Sequence, residues 1–169
     1  MGIRRANLED AASLAALSIE VWIGTYLRRG VNAFFANYVL TEFTKATFES
    51  HLGDAGEAFF VSDNEEGIDG FVRVSEGRNP PVSGCSTTEI STLYVQPRHH
   101  GKGLGKQLLG EGLRHCRDRE AKSVWLTTNA ENSAAIGFYQ AQGFTNVGQT
   151  HFRIGEEAYL NEVFAYTFG

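Results

Sequence analysis

The sequence predicts a single mixed α/β domain, and three observations support this prediction. The apolar periodicity is helical in the first third of the chain and changes to strand-like runs in the middle. Helical and strand segments then alternate, as they do in folds that cover a sheet with helices. No repeat, low-complexity tract or linker interrupts the 169 residues. We therefore expect one domain over residues 1–169, which is long enough to bury a core.

The first third of the chain predicts one short strand followed by helices. The strand is "GIRRA", and a helix follows it through residue 27. Asn7 can cap this helix, with Asp10 three residues later. A second helical region covers about residues 31–52, in two pieces.

The rest of the chain predicts six strands and two helices. Two strands, "EAFFVSDN" and "GIDGFVRVSEG", flank the acidic turn "NEEG" and form a hairpin, and "TTEISTLYV" is the third strand of this meander. There follow the helix "LGKQLLGEGLRHCRD", the strand "SVWLTTN", and the helix "NSAAIGFYQAQG", which Gly143 closes. A last hairpin gives the order β-α-α-β-β-β-α-β-α-β-β, with about four helices in all.

Composition and charge argue against several classes of function. The net charge of −5 argues against nucleic acid as a partner and is compatible with a cationic small molecule. No stretch has the roughly 20 apolar residues of a membrane span, and the N-terminus does not resemble a secretion signal. The two cysteines form neither a disulfide framework nor a metal knuckle. We therefore expect a cytoplasmic protein without a membrane partner, and the sequence leaves a homodimer open.

A glycine-rich turn joins a predicted strand to a predicted helix. It contains three glycines at every second position and three cations: Gly101, Gly103, Gly105, Arg98, Lys102 and Lys106. Glycines let successive N–H groups form a concave nest, and the helix start adds the positive end of its dipole. A phosphate group is the expected ligand of such a turn.

Three phosphate motifs can be compared with this turn. The P-loop pattern fails because position 100 is His and position 107 is Gln. The dinucleotide fingerprint fails because position 106 is Lys and because three strands precede the strand that leads into the turn. The pattern Arg/Gln-x-x-Gly-x-Gly/Ala after a strand fits "RHHGKG" at residues 98–103.

Two motifs together resemble the GNAT family of acetyl-CoA-dependent N-acetyltransferases. The first is "LYVQPRHHGKGLGKQLL", and the second is "NAENSAAIGFYQAQGF" at residues 129–144. The elements of the second motif are Asn132, Ala135, Phe138, Tyr139, Gly143 and Phe144. The element order also matches, so the resemblance covers nearly the whole chain. The lead-in "EISTLYV" and the closing hairpin look most like the branch of bacterial polyamine (spermidine/spermine) acetyltransferases.

The resemblance implies a GNAT-type domain with a mixed, mostly antiparallel, twisted sheet whose middle strands are splayed. It implies that acetyl-CoA is the cosubstrate, with its pantetheine arm along the predicted strand and its diphosphate on the glycine turn. The implied coenzyme contacts are Leu93, Tyr94, Val95, Arg98, His99, His100, Gly101, Lys102, Gly103, Leu104, Gly105, Lys106, Asn132 and Tyr139. Asn132 can serve as a helix cap at the same time.

The implied reaction moves an acetyl group from a thioester to a primary amine. A free alkylamine has a pKa near ~10.4, so a base is useful. Glu89 is the candidate base, direct or through water, and it also contacts substrate; the alternatives are a salt bridge or an exposed edge position. The family implies the Val95 N–H as oxyanion donor. It also implies Tyr139 as the acid that protonates the CoA thiolate, although a helix aromatic at this spacing is more often part of a core.

The remaining candidates concern the acceptor pocket and metals. By family, Trp22 and Tyr26 fall in the region that walls the acceptor pocket, although aromatics there are more often core. The helix-interior Gly137 predicts a close packing partner, because glycine there costs roughly 1 kcal/mol relative to alanine. His99 and His100 have no third ligand nearby, so we expect no metal.

The sequence therefore predicts an N-acetyltransferase of small-molecule amines, with polyamines or diamines as the first expectation. The alternatives are a protein or peptide N-acetyltransferase and a non-catalytic acyl-CoA-binding sensor.

Overall fold

The computed structural model describes residues 2–169, which form seven strands and five α-helices. The strands are β1 Gly2–Arg5, β2 Glu57–Asn64, β3 Gly67–Ser75, β4 Glu89–Val95, β5 Ser123–Asn129, β6 Thr145–Ile154 and β7 Glu157–Thr167. The helices are α1 Ala11–Tyr26, α2 Ala33–Glu42, α3 Lys45–Leu52, α4 Leu104–Asp118 and α5 Ser133–Ala141. The predicted α/β class is confirmed, and so is the order of the elements, with the helical region 31–52 in two pieces.

The seven strands follow the order β1-β2-β3-β4-β5-β7-β6 in one sheet. β4 pairs with β5 in parallel, with Glu89 opposite Trp125. β5 pairs with β7, and β7 with β6, in antiparallel ladders. The sheet is therefore mixed and mostly antiparallel, as predicted.

The helical region 31–52 has the two predicted pieces, α2 and α3, which bring the number of α-helices in residues 2–169 to five. The chain between residues 31 and 52 folds as two helices because each has its own N-terminal cap. The Asn32 side chain accepts from Phe35 N at 3.0 Å, and the Thr44 hydroxyl accepts from Thr47 N at 3.1 Å. A side chain that satisfies a first-turn N–H group starts a new helix where the previous one ends.

Contacts divide the chain into two compact units, of which the first comprises residues 1–73 and 92–112. Its apolar core lies between α1, α3 and the strands β2 and β3. Phe59 and Phe71 stack at 6.0 Å between ring centroids, and Leu14 on α1 is completely buried against them. Burying each such side chain stabilises the fold by about 1.5–3 kcal/mol. The predicted single domain over residues 1–169 stays a prediction.

The predicted Asn7 cap lies at the short 3-10 helix Leu8–Asp10 directly before α1, and α1 itself begins without a side-chain cap. Asn7 and Asp10 form a capping box around a short 3-10 turn, with Asn7 N donating to Asp10 Oδ2 at 2.8 Å. Arg4 on β1 donates to both oxygens of Asp10, at 2.8 and 2.9 Å. Because the Arg4 guanidinium also donates to Asp63 on β2, it links the residues before α1 to two strands at the edge of the sheet.

The second unit comprises residues 74–91 and 113–169. Its core contains Leu126 on β5 and Phe164 on β7, which are at most 1% exposed. The strands β6 and β7 pair with each other to form the predicted hairpin. Gly143 follows the end of α5 with φ +95, as predicted for a helix-closing residue.

Candidate functional site

The glycine turn lies between β4 and α4 and has the backbone of a nest. Gly101 and Gly103 have φ values of +82 and +79, a region that side-chain-bearing residues rarely adopt. A Cβ added to either glycine would meet nothing within 4 Å, so the concave side is open. The helix α4 begins directly after it, and Gln107 N donates to Gly103 O at 3.1 Å. The N–H groups of this turn and the helix dipole are suited to bind an anion.

The predicted cations of the turn are exposed. The Arg98 side chain is 72% exposed, and its Nη2 lies 3.7 Å from Glu20 Oε2 on α1. Lys102 Nζ lies 3.4 Å from His99 Nδ1, and Lys106 is exposed on the first turn of α4. Leu104 and Gly105 are half-buried and carry no charge, so their backbone is what they can offer to an anion. Long cationic side chains in this state can turn toward a bound phosphate.

The end of β4 is tightly packed. Val95 is 8% exposed, and its carbonyl oxygen lies 3.0 Å from His100 Nε2. A Cβ added to Gly70 on β3 would lie 3.0 Å from Tyr94 O, so only glycine fits without a shift. Leu93 and Tyr94 are half-buried. This close approach fixes the course of the strand where the resemblance implies the pantetheine arm.

Glu89, the candidate base, begins β4. Its side chain is 14% exposed, and Oε1 lies 3.8 Å from Arg78 Nη1. The salt-bridge alternative weighed from the sequence is therefore present in the structure.

Tyr139, the candidate acid, lies on α5 and is half-buried. Its ring centroid lies 5.8 Å from that of Phe144 and 6.5 Å from that of Phe164. The Asn132 side chain accepts from Ala135 N at 3.2 Å and so caps α5. The prediction of a packing partner for Gly137 is wrong within the described residues, because a Cβ added there would meet nothing within 4 Å.

The two predicted pocket aromatics differ in exposure. Trp22 is 6% exposed and lies among the rings of Tyr26, Phe35 and Tyr38, at centroid distances of 5.0, 5.7 and 5.2 Å. Tyr26 is 44% exposed. Burial raises the pKa of Tyr38 to about 12, with a smaller contribution from Glu42. Because of this difference in exposure, Tyr26 can contact a ligand directly, whereas Trp22 packs against the Tyr26 ring.

Sequence reasoning missed two residues beside the turn, Glu20 and Gln96. Gln96 Nε2 donates to Glu20 Oε1 at 2.7 Å. Their separation of 76 residues leaves no local signal for this contact. The residues border a cleft of about 760 Å³, whose lining includes Ser13, Leu17, Glu20, Gln96, Arg98 and His99.

Within residues 2–169, no group of three or more His, Cys, Asp or Glu side chains could hold a metal ion. None of the helices in the same residues is long and apolar enough to cross a membrane.

Comparison with known proteins identifies relatives over most of the chain. Residues 24–144 match the sequence model of the acetyltransferase (GNAT) family. An uncharacterized N-acetyltransferase of Mycobacterium tuberculosis is 28% identical over 148 residues, which cover 88% of this chain and 91% of that protein.

Two named relatives match parts of their own lengths. The mycothiol acetyltransferase of Paenarthrobacter aurescens is 30% identical over 147 residues, which cover 82% of this chain and 44% of that protein. The N-alpha-acetyltransferase RimI of Mycobacterium tuberculosis is 34% identical over 94 residues, which cover 53% of this chain and 55% of that protein.

The fold is also that of solved acetyltransferases. The crystal structure of PaiA N-acetyltransferase from Thermoplasma acidophilum, in complex with coenzyme A, superimposes with a TM-score of 0.78. The two sequences are 18% identical, and the alignment covers 98% of both chains.

Proposed function

This chain belongs to the GNAT family and is an acetyl-CoA-dependent N-acetyltransferase, and from that premise we propose that its acceptor is a small-molecule primary amine, a polyamine or diamine. The observation that carries the coenzyme part of the proposal is the open nest of Gly101 and Gly103 at the start of α4. The net charge of −5 supports a cationic acceptor, because a negative field raises the local concentration of amines.

In this proposal, backbone N–H groups make the main contacts with the coenzyme, and side chains add to them. The N–H groups of residues 101–105 bind the diphosphate, and the cations Arg98, Lys102 and Lys106 add charge. His99 and His100 flank the diphosphate. The backbone of Leu93–Val95 pairs with the pantetheine arm as an added strand would, and Asn132 adds a contact at the start of α5.

The chemistry assigned to the chain is direct acyl transfer. Glu89, directly or through water, takes a proton from the attacking amine, whose nitrogen bonds to the thioester carbon. The Val95 N–H donates to the oxyanion of the tetrahedral intermediate. The carbon–sulfur bond then breaks, and the Tyr139 hydroxyl gives its proton to the thiolate. The products are the acetylated amine and free CoA.

A second acceptor class is a peptide N-terminus. The similarity to an N-alpha-acetyltransferase supports it, and so does the exposed ring of Tyr26, which packs against Trp22. The net charge favours the polyamine, because a peptide need not be strongly cationic. The named relatives differ from one another in their acceptors, so family membership does not choose between the two classes.

A panel of acceptors, with release of the CoA thiol as the signal, tests the proposal. We expect turnover with spermidine or a diamine and none with peptides that carry a free N-terminus. Peptide turnover without polyamine turnover would overturn the polyamine assignment. The protein's own thiols add little background, since burial raises the pKa of Cys116 to about 12 and also raises that of Cys85.

A further inference from the structure

The peptide group that follows Val95 is fixed at both of its ends. Its carbonyl oxygen, on Val95, accepts from His100 Nε2 at 3.0 Å, and its N–H, on Gln96, donates to Asp69 O at 2.9 Å. A carbonyl can only accept, so the Nε2 of His100 must carry the proton. Because the peptide unit is planar, bonds at its oxygen and its nitrogen together set its orientation.

The side chain of Gln96 adds a third anchor from α1. Its Nε2 donates to Glu20 Oε1 at 2.7 Å. Because a carboxylate only accepts, the NH₂ end of the Gln96 amide must face it. A hydrogen bond to a charged acceptor is stronger than a neutral one. The second oxygen of Glu20 lies 3.7 Å from Arg98, one of the cations of the glycine turn. One carboxylate on α1 therefore accepts a hydrogen bond from the residue after β4 and lies beside a cation of the turn.

We propose that Gln96 and Glu20 are positioning residues for acyl transfer. Their hydrogen bond orients the segment between the proposed oxyanion donor, Val95, and the proposed diphosphate cradle. Neither residue touches a reacting atom, and both act through the peptide group between Val95 and Gln96, which directly follows the one that carries the Val95 N–H. This inference rests on the proposed function of the turn and adds to it a contact from a distant helix.

Replacing Gln96 with alanine tests the proposal. Gln96→Ala removes the side-chain bond and leaves the backbone bond to Asp69, so the fold should persist. We expect kcat at saturating acetyl-CoA to fall about tenfold, which is the effect of losing one charged hydrogen bond. The KM for acetyl-CoA should change less than about threefold, because the glycines are intact. A purely structural role predicts a lower melting temperature with unchanged kcat per folded molecule.

A donor–acceptor exchange gives a sharper test. Gln96→Glu alone places two carboxylates at hydrogen-bond distance, and kcat should fall further. Adding Glu20→Gln restores the bond with donor and acceptor exchanged, and the double variant should recover most of the lost kcat. Glu65→Gln is the matched control for Glu20→Gln, because it removes one negative charge from the lining of the same 760 Å³ cleft. Its kinetic constants should equal those of the wild type.

Two results would overturn the positioning role: an unchanged kcat in Gln96→Ala, or a double variant no better than Gln96→Glu. A coenzyme titration of Gly103→Val separates this failure from a failure of the proposed function. Wild-type affinity in Gly103→Val refutes the diphosphate cradle itself. Lost affinity there, together with unchanged Gln96→Ala kinetics, refutes the positioning role alone.

Discussion

At the scale of single residues, the hydroxyl of Tyr139 provides the most direct test of the chemistry. Tyr139→Phe removes one oxygen and keeps the ring contacts with Phe144 and Phe164. General acids typically contribute 10²–10⁴-fold, so we expect kcat to fall about 100-fold. Coenzyme affinity, measured by calorimetry, should stay within about threefold. Tyr166→Phe, another half-buried tyrosine against Phe144, is the control and should keep its turnover. Unchanged turnover in Tyr139→Phe would remove it from the acid role.

The role of Glu89 can be separated from that of its ion pair with Arg78. If Glu89 is the base, Glu89→Gln should lower kcat about tenfold or more, because the amide cannot accept the amine proton. Arg78→Gln breaks the same 3.8 Å contact and leaves the carboxylate, so its kcat should stay near that of the wild type. Steady-state kinetics of both variants decide the matter. Equal small losses in the two variants would mean that Glu89 is only a salt-bridge partner.

At the scale of elements, the capping box before α1 should make stability depend on pH. Hydrogen bonds from Arg4 lower the pKa of Asp10 in the folded state. A lowered folded pKa gives stability that is present above the unfolded value, near ~3.9, and is lost as pH falls through the folded value. Asp10→Asn should cost about 1.5 kcal/mol at neutral pH, since Arg4 is partly exposed. Urea unfolding should show this difference shrinking below about pH 4. A difference that is independent of pH would contradict the ion pair.

The close contact between β3 and the end of β4 gives a second prediction at the scale of elements. Gly70→Ala would place a Cβ 3.0 Å from both Leu108 Cδ1 and Tyr94 O, so it should destabilise the protein by about 1–3 kcal/mol. Gly110→Ala, inside α4 with open space around its Cβ, should instead stabilise by about 0.5–1 kcal/mol. Chemical denaturation of both variants measures the contrast. The close contact would be refuted if Gly70→Ala were as stable as the wild type.

The elements also show how far local sequence determines structure. The strand–turn–helix around the glycines, and the caps at Asn7 and Gly143, were predicted because their signals lie within a few residues of the structure they cause. The division of residues 31–52 into two helices is also predicted from the sequence, and the Thr44 cap starts the second of them. The contact between Glu20 and Gln96 was not predicted, since only the folded chain brings residues 76 positions apart together.

At the scale of the whole molecule, coenzyme binding should raise the melting temperature. A ligand that binds only the folded state stabilises it by RT ln(1 + [L]/Kd), about 2.7 kcal/mol at one hundred times Kd. Gly103→Val should abolish the coenzyme-dependent part of this shift, because the nest needs φ near +79 at an open position. Gly77→Val is the matched control, since Gly77 has φ +71 and nothing within 4 Å but lies outside the turn. It should lower the melting temperature by a similar amount and keep the full coenzyme shift. Equal coenzyme shifts in the two variants would show that the diphosphate binds elsewhere.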